Sequence, residues 1–251
     1  MKDYLAEIVK NEKIAENIHA VTFDLGEEAK VRCGQFGDIL IGGTHLLRRP
    51  IAICKVDKNL VTYCYQLKGE GTRELAQMGV GTKVNVLMPL GNGFFVEENE
   101  QKIALVGGGV GIFPLISVLR EYQGKKHISA YIGFRNAAAV CGLDEFEKAD
   151  KFVAVTDDGG YGEKMNSVQA FAKSLETGDV PDVVLACGPT PMLRALKSLV
   201  EEKNIPCYVS LEERMGCGIG ACLVCVCAKT NGKNARVCKD GPVFNANDIV
   251  L

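Results

Sequence analysis

Ile103-Ala-Leu-Val-Gly107-Gly-Gly109-Val-Gly111-Ile-Phe-Pro114 is the stretch where the chain changes rhythm. A short apolar run enters a glycine cluster, and the residues from about Pro114 to Tyr122 have the pattern of a helix. Strand-like runs follow at Ile128–Phe134, Phe152–Thr156, Val183–Cys187 and Cys207–Leu211, with a helix over Pro191–Lys203. Alternation of this kind predicts an α/β unit with a parallel sheet and right-handed crossovers. Glycines between strand and helix let backbone amides approach a pyrophosphate, which the helix N-terminus also favours. The motif is not a strict GxGxxG, and a tight turn without a ligand is the plain alternative. A second loop, Cys187-Gly188-Pro189, ends a later strand, so the two loops would frame a crevice. Candidate nucleotide contacts are therefore Gly107, Gly108, Gly109, Gly111, Gly188 and Pro189. No acid ends the second strand, where Phe134-Arg135-Asn136 stands, so these residues leave NAD and NADP open.

Upstream, to about Glu98, the chain is built from short alternating segments split by Gly, Asn and Asp. Ile18–Leu25 places Val21, Phe23 and Leu25 on one face. Ile51–Val56 and Leu60–Leu67 flank Asp57-Lys58-Asn59, a hairpin turn, and Lys83–Met88 is a further strand. One short helix is expected over Thr72–Met78. Many short strands with one helix predict a small antiparallel barrel.

Downstream the chain reads Arg214-Met-Gly-Cys217-Gly-Ile-Gly-Ala-Cys222-Leu-Val-Cys225, with Cys238 beyond. The C-x4-C-x2-C spacing is that of plant-type [2Fe–2S] ferredoxins. Gly216, Gly218 and Gly220 would let the backbone wrap a cluster and tolerate positive φ. Structural zinc usually takes two C-x2–4-C knuckles, whereas here the x4 and x2 steps share one loop and the partner is a lone cysteine. Cys227 is an alternative to Cys225, although the x2 spacing favours Cys225.

A nicotinamide carries electrons as hydride, whereas such a cluster accepts one at a time. Coupling them requires a flavin. Leu47-Arg48-Arg49-Pro50-Ile51-Ala52-Ile53 is the flavin candidate, because an Arg opening a strand can neutralise a cofactor phosphate. Lys68-Gly69-Glu70-Gly71-Thr72 offers a second group of anion-binding amides.

The 251 residues suffice for two or three domains, and a net charge of −2 makes no case for nucleic acid or an anionic membrane. No run of about 18 apolar residues is present to span a bilayer. The N-terminus alternates like a strand and shows no signal-peptide pattern. Eleven cysteines and the proposed cluster suit a reducing cytoplasm. His19, His45 and His127 form no ligand pair, and the cysteines without metal spacing read as small core residues.

Taken together, these motifs resemble the ferredoxin reductase superfamily, and most closely the electron-transfer subunits of NAD-dependent (class 1B) dihydroorotate dehydrogenases. The likeness rests on Arg49-Pro-Ile-Ala, Gly107–Pro114, Ser210-Leu-Glu-Glu-Arg-Met-Gly-Cys through Cys225, and Val237-Cys-Lys-Asp-Gly-Pro-Val-Phe244. It implies a multi-domain chain: a FAD-binding antiparallel β-barrel (1–98), an NAD-binding α/β parallel-sheet domain (99–209) and a small [2Fe–2S] domain (210–251). FAD would meet Arg49, Pro50, Ile51, Ala52, Tyr65, Gln66, Leu67, Gly71 and Thr72. Cys187 would lie beside the nicotinamide as the catalytic candidate, and Cys217, Cys222, Cys225 and Cys238 would hold the cluster. The family pairs with an FMN-containing catalytic subunit in a heterotetramer, passing electrons from FMN through the cluster and FAD to NAD in pyrimidine biosynthesis. Related reductase subunits serve a hydrogenase, a sulfide dehydrogenase or an NAD–ferredoxin transhydrogenase; some replace one cluster cysteine with Asp, and the four-cysteine set here favours the first relation. Ala52 stands where relatives often place Ser, while Met88 and Met165 stand where Gly is expected.

Overall fold

The structure is a computed structural model that describes residues 1–43 and 45–251. Strands β1 (Lys2–Ala15), β2 (Ile18–Asp24), β3 (Phe36–Leu40), β4 (Arg49–Asp57) and β5 (Leu60–Gln66) precede helix α1 (Glu70–Gln77) and strand β6 (Lys83–Leu90). The six strands close into an antiparallel barrel in the order β1-β2-β5-β4-β3-β6. Period-two alternation drives this, since β5 and β6 bury every second side chain. The barrel core includes Ile8, Phe23, Ile39, Tyr63 and Met88. Tyr63 Oη donates to Met88 Sδ at 3.2 Å, so Met88 both fills the barrel and satisfies a buried phenol, which a glycine would leave undone.

The second unit comprises β7 (Lys102–Gly108), α2 (Ile112–Tyr122), β8 (His127–Phe134), α3 (Leu143–Phe146), β9 (Lys151–Thr156), α4 (Ser167–Glu176), β10 (Val183–Cys187), α5 (Thr190–Lys203) and β11 (Cys207–Ser210). Its strands pair in parallel in the order β11-β10-β7-β8-β9. Strands β7 and β10 are almost wholly buried apolar runs, as expected of a parallel sheet covered on both faces.

The C-terminal segment adds a hairpin of β12 (Val226–Ala228) and β13 (Asn234–Arg236), then α6 (Val237–Asp240) and β14 (Val243–Asn245). Strand β14 joins the parallel sheet antiparallel to β11, so the cysteine-rich segment is built into the second unit's edge. Asn92, just past the barrel, ties the same segment down: its side chain donates to the carbonyls of Asp240 (3.2 Å) and Val243 (2.9 Å) and accepts from Val243 N (3.2 Å). Asn92→Ala is therefore expected to cost about 2 kcal/mol in denaturant unfolding, from three hydrogen bonds each worth ~1 kcal/mol or less at this partly exposed place. An unchanged midpoint would remove that role. Among the described residues, no helix is long and apolar enough to cross a membrane.

Candidate functional site

The parallel register brings three loops together. Gly107 pairs with Cys187, and Cys187 pairs with Ser210, so β7, β10 and β11 end side by side. The ends of β7 and β10 approach so closely that a Cβ on Gly111 would lie 2.5 Å from the Cys187 carbonyl oxygen. A Cβ on Gly108 would lie 2.6 Å from Met192 Sδ and 3.1 Å from Pro189. Gly109 is needed for a different reason: its φ of +55° lies in the left-handed region. The glycines thus join two strand ends as one wall.

Two cavities meet at this wall. One, of about 480 Å³, is lined by Gly108, Gly109, Gly111, Gly188 and Pro189, with Arg135 and Lys68 as its cations. Amides before the first turn of α2 and these cations suit a dinucleotide pyrophosphate. The other, of about 250 Å³, is walled on the barrel side by Pro50, Ile51, Ala52, Tyr65 and Gln66. Phe113 and Pro114 of α2 also line it, as do Met215 and Pro242 of the cysteine-rich segment. Gln66, Lys68, Val110 and Glu212 line both cavities and mark their junction. Tyr65 Oη is buried without a hydrogen-bond partner, an orphan that a polar ligand group would satisfy.

Arg49 sits apart from that cavity, against the first turn of α1: a Cβ on Gly71 would lie 2.5 Å from its Nε. Its Nη2 is 3.3 Å from His45 Nδ1, and His45 Nε2 lies 2.9 Å from Glu74. Thr72 Oγ1 accepts from the amides of Lys68 (3.1 Å) and Gly69 (3.2 Å), which shapes the turn. Cation and helix N-terminus together suit a phosphate. Helix α1 begins two residues earlier than its apolar pattern suggested, because Gly69 is its N-cap.

Cys187 is buried beside Ser210 and Glu212. Burial and the nearby Glu212 charge push its thiol pKa up, so it is a neutral wall atom at neutral pH. Besides Arg49 and Gly71, which meet at the start of α1, two more of the predicted contacts line neither cavity. Leu67 packs against the barrel core, and a Cβ on Gly107 would meet Leu115, Ile112 and Ile132. Lys68, Val110, Glu212 and Met215 also line the cavities; each lies within a motif quoted above, but none was named there as a contact.

The cysteine loop gathers its thiols in two pairs. Cys217 hydrogen-bonds Cys222, and Cys225 hydrogen-bonds Cys238. Cys217 Sγ accepts from the amides of Ala221 (3.3 Å) and Cys222 (3.4 Å), and Cys225 Sγ from Cys238 N (3.4 Å). Burial works against the Cys217 thiolate, but amide hydrogen bonds from Ile219, Cys222 and Ala221 outweigh it and bring its pKa down to about 6. Burial and the adjoining Cys225 push Cys238 up to about 12. Gly218 and Gly220 have positive φ, whereas Gly216 serves by what it lacks: its Cβ would lie 3.1 Å from Cys222 Sγ. Cys227 lies on β12, paired with Ala235, and Cys225 is the thiol that meets Cys238. Among the described residues, no three His, Cys, Asp or Glu side chains are grouped to hold a single metal ion. Two thiol pairs with amides aimed at sulfur fit a binuclear iron–sulfur cluster, with two thiolates for each iron.

Comparisons with known proteins agree with this geometry. Residues 212–250 match the iron-sulfur cluster binding domain of dihydroorotate dehydrogenase B, and residues 105–198 match an oxidoreductase NAD-binding domain. The dihydroorotate dehydrogenase B (NAD(+)) electron transfer subunit of Caldanaerobacter subterraneus subsp. tengcongensis is 36 % identical, with 98 % of each chain covered. That of Bacillus pumilus is 41 % identical over 100 % of this chain and 99 % of its own. A solved NADH-dependent reduced ferredoxin-NADP oxidoreductase superposes with a TM-score of 0.87 at 29 % identity, covering 98 % of this chain and 90 % of that one. The ferredoxin-NADP+ reductase of Plasmodium falciparum shares the fold at a TM-score of 0.65 and 12 % identity, covering 82 % of this chain and 95 % of that one.

Proposed function

The chain belongs to the family of dihydroorotate dehydrogenase B (NAD(+)) electron transfer subunits, and from that premise we propose that it links a dihydroorotate-oxidising catalytic subunit to NAD. The observation that carries this reading is the 250 Å³ cavity, whose walls come from the barrel, from α2 of the parallel-sheet unit and from the cysteine-rich segment. A cofactor there touches all three. When bound, a [2Fe–2S] cluster, FAD and NAD supply one-electron transfer, its conversion to two-electron chemistry, and hydride acceptance.

Residues 1–98 then form the flavin domain, 99–209 the NAD domain and 210–251 the cluster domain, with β14 shared between the last two. Arg49, Gly71 and Thr72 hold the flavin phosphate, while Pro50–Ala52, Tyr65 and Gln66 line the ring. Leu67 and Gly107 support these walls from behind. Gly108, Gly109, Gly111, Gly188 and Pro189 receive the dinucleotide, and Cys187 packs as a neutral thiol beside the nicotinamide. Cys217, Cys222, Cys225 and Cys238 ligate the irons. Phe113, Pro114 and Pro242 exclude water from the ring's surroundings.

Exposed Cys222 is surrounded in sequence by exposed Ile219, Leu223, Val224 and Val226. We assign this apolar rim to the FMN-containing catalytic subunit in a heterotetramer, and a reducing cytoplasm suits the thiolates. The likeness to the NADH-dependent reduced ferredoxin-NADP oxidoreductase supports a second reading, a reductase subunit of another complex. The test is direct. The purified chain, loaded with its cofactors under anaerobic conditions, reduces dyes with NADH and forms no orotate, and adding the catalytic subunit makes dihydroorotate oxidation depend on NAD. Orotate formed by the chain alone, or no coupling between the two subunits, would refute the proposal.

A further inference from the structure

Glu145 of α3 is 5 % exposed, yet its carboxylate is ionised. Burial opposes that charge, but hydrogen bonds from Lys148 and Lys55 outweigh it and hold the pKa at about 2. Lys55 Nζ lies 2.6 Å from Oε1, while Lys148 Nζ and Arg120 Nη1 lie 2.8 and 3.8 Å from Oε2. Arg120 turns its other nitrogen to Asp57 Oδ1 at 2.5 Å. The partners come from both units. Lys55 and Asp57 are on β4 of the barrel, whereas Arg120, Glu145 and Lys148 belong to the parallel-sheet unit.

The elements joined here are those that line the cavities. Strand β4 carries Pro50–Ala52, and α2 carries Phe113 and Pro114 just after the glycine turn. Lys55 lies about 10 Å along the strand from Ala52, at ~3.3 Å per residue. Arg120 lies about 10 Å along the helix from Phe113, at ~1.5 Å per residue. The ionic network thus pins two stiff arms of similar length whose other ends both line one cavity. Cys54 of β4 shares one buried apolar cluster with Ile112, Phe113 and Ile116 of α2, so the network sets the register of a packed contact, and hydride transfer is sensitive to misplacement on the order of 1 Å.

Resting on the flavin and dinucleotide assignments above, we infer that Glu145, through Lys55 and Arg120, is a positioning residue that fixes the approach of nicotinamide to flavin. It touches neither cavity. Removing its charge leaves flavin binding intact and lets the two walls slip.

The experiment compares Glu145→Gln, Lys55→Met and the double variant, each as the full chain loaded with flavin and cluster. Mixing anaerobically with NADH reads the charge-transfer absorbance and the rate of flavin bleaching, and thermal unfolding is followed in parallel. Glu145→Gln is expected to retain flavin, lose most of the charge-transfer band and slow bleaching about tenfold or more. Removing Lys55 as well relieves the half-buried cation that Glu145→Gln strands on β4 and so recovers stability, but a positioning role leaves the band and the rate low. Wild-type rates in Glu145→Gln, or rates that recover in step with stability in the double variant, would overturn the inference. A wild-type chain with no charge-transfer band would instead count against the cavity assignments themselves.

Discussion

Replacing Cys217 by serine is expected to remove the cluster's iron and visible bands while leaving flavin content near that of the unaltered chain. Cys217 collects amide hydrogen bonds on its sulfur and is paired with exposed Cys222, so in the proposed cluster the substitution takes away one iron ligand without opening a cavity in a core. Cys217 does not line the cavity that β4 and β5 wall, where we propose the flavin ring to lie. Cys225 and Cys238 are different, because both are buried with Phe36, Leu90, Val237 and Ile249. Serine there also places a hydroxyl in an apolar cluster, which costs stability unless it finds a partner. Iron, sulfide and flavin analyses on the same sample separate the cases. Flavin lost in parallel with iron in Cys217→Ser would contradict independent sites.

Gly111→Ala is expected to lower kcat/KM for NADH about 100-fold, the scale of a misplacement of roughly 1 Å at a hydride-transfer site. The new methyl group meets backbone on the facing loop, the Cys187 oxygen at 2.5 Å and the Gly188 nitrogen at 2.6 Å, and no flexible side chain is there to yield. The loops must separate, and the proposed dinucleotide wall separates with them. Gly109→Ala has open space around its methyl and meets only the strain of a positive φ, so the milder effect belongs there. Steady-state NADH oxidation with a dye acceptor reads both variants. Gly111→Ala acting at the rate of the unaltered chain would show that the loop contact does not shape the site.

The parts legible in the sequence were those whose chemistry is local. A glycine turn after an apolar strand and a C-x4-C-x2-C loop carry their constraints within a dozen residues. Helix α4 was also legible, since Asn166 and Gln169 form its reciprocal cap, yet it passed unassigned. Strand β14 was not: Val243–Asn245 is too short to show a period, and its pairing with β11 is a long-range choice. Lys68 and Glu212 belong to the site only because barrel and sheet meet there, which no spacing in the chain expresses. The converse holds for Gly107, whose place in the glycine run suggested a ligand contact, whereas its α-carbon faces Leu115 and Ile132.

Anaerobic titration of the purified chain with NADH, read by visible absorbance and electron paramagnetic resonance alongside iron and zinc analysis, tests the central claim most directly. The account predicts two irons and one FAD per chain, with NADH bleaching the flavin and raising the signal of a reduced [2Fe–2S] cluster. A chain that binds zinc in place of iron, or a cluster that NADH leaves oxidised while the flavin is reduced, would contradict it.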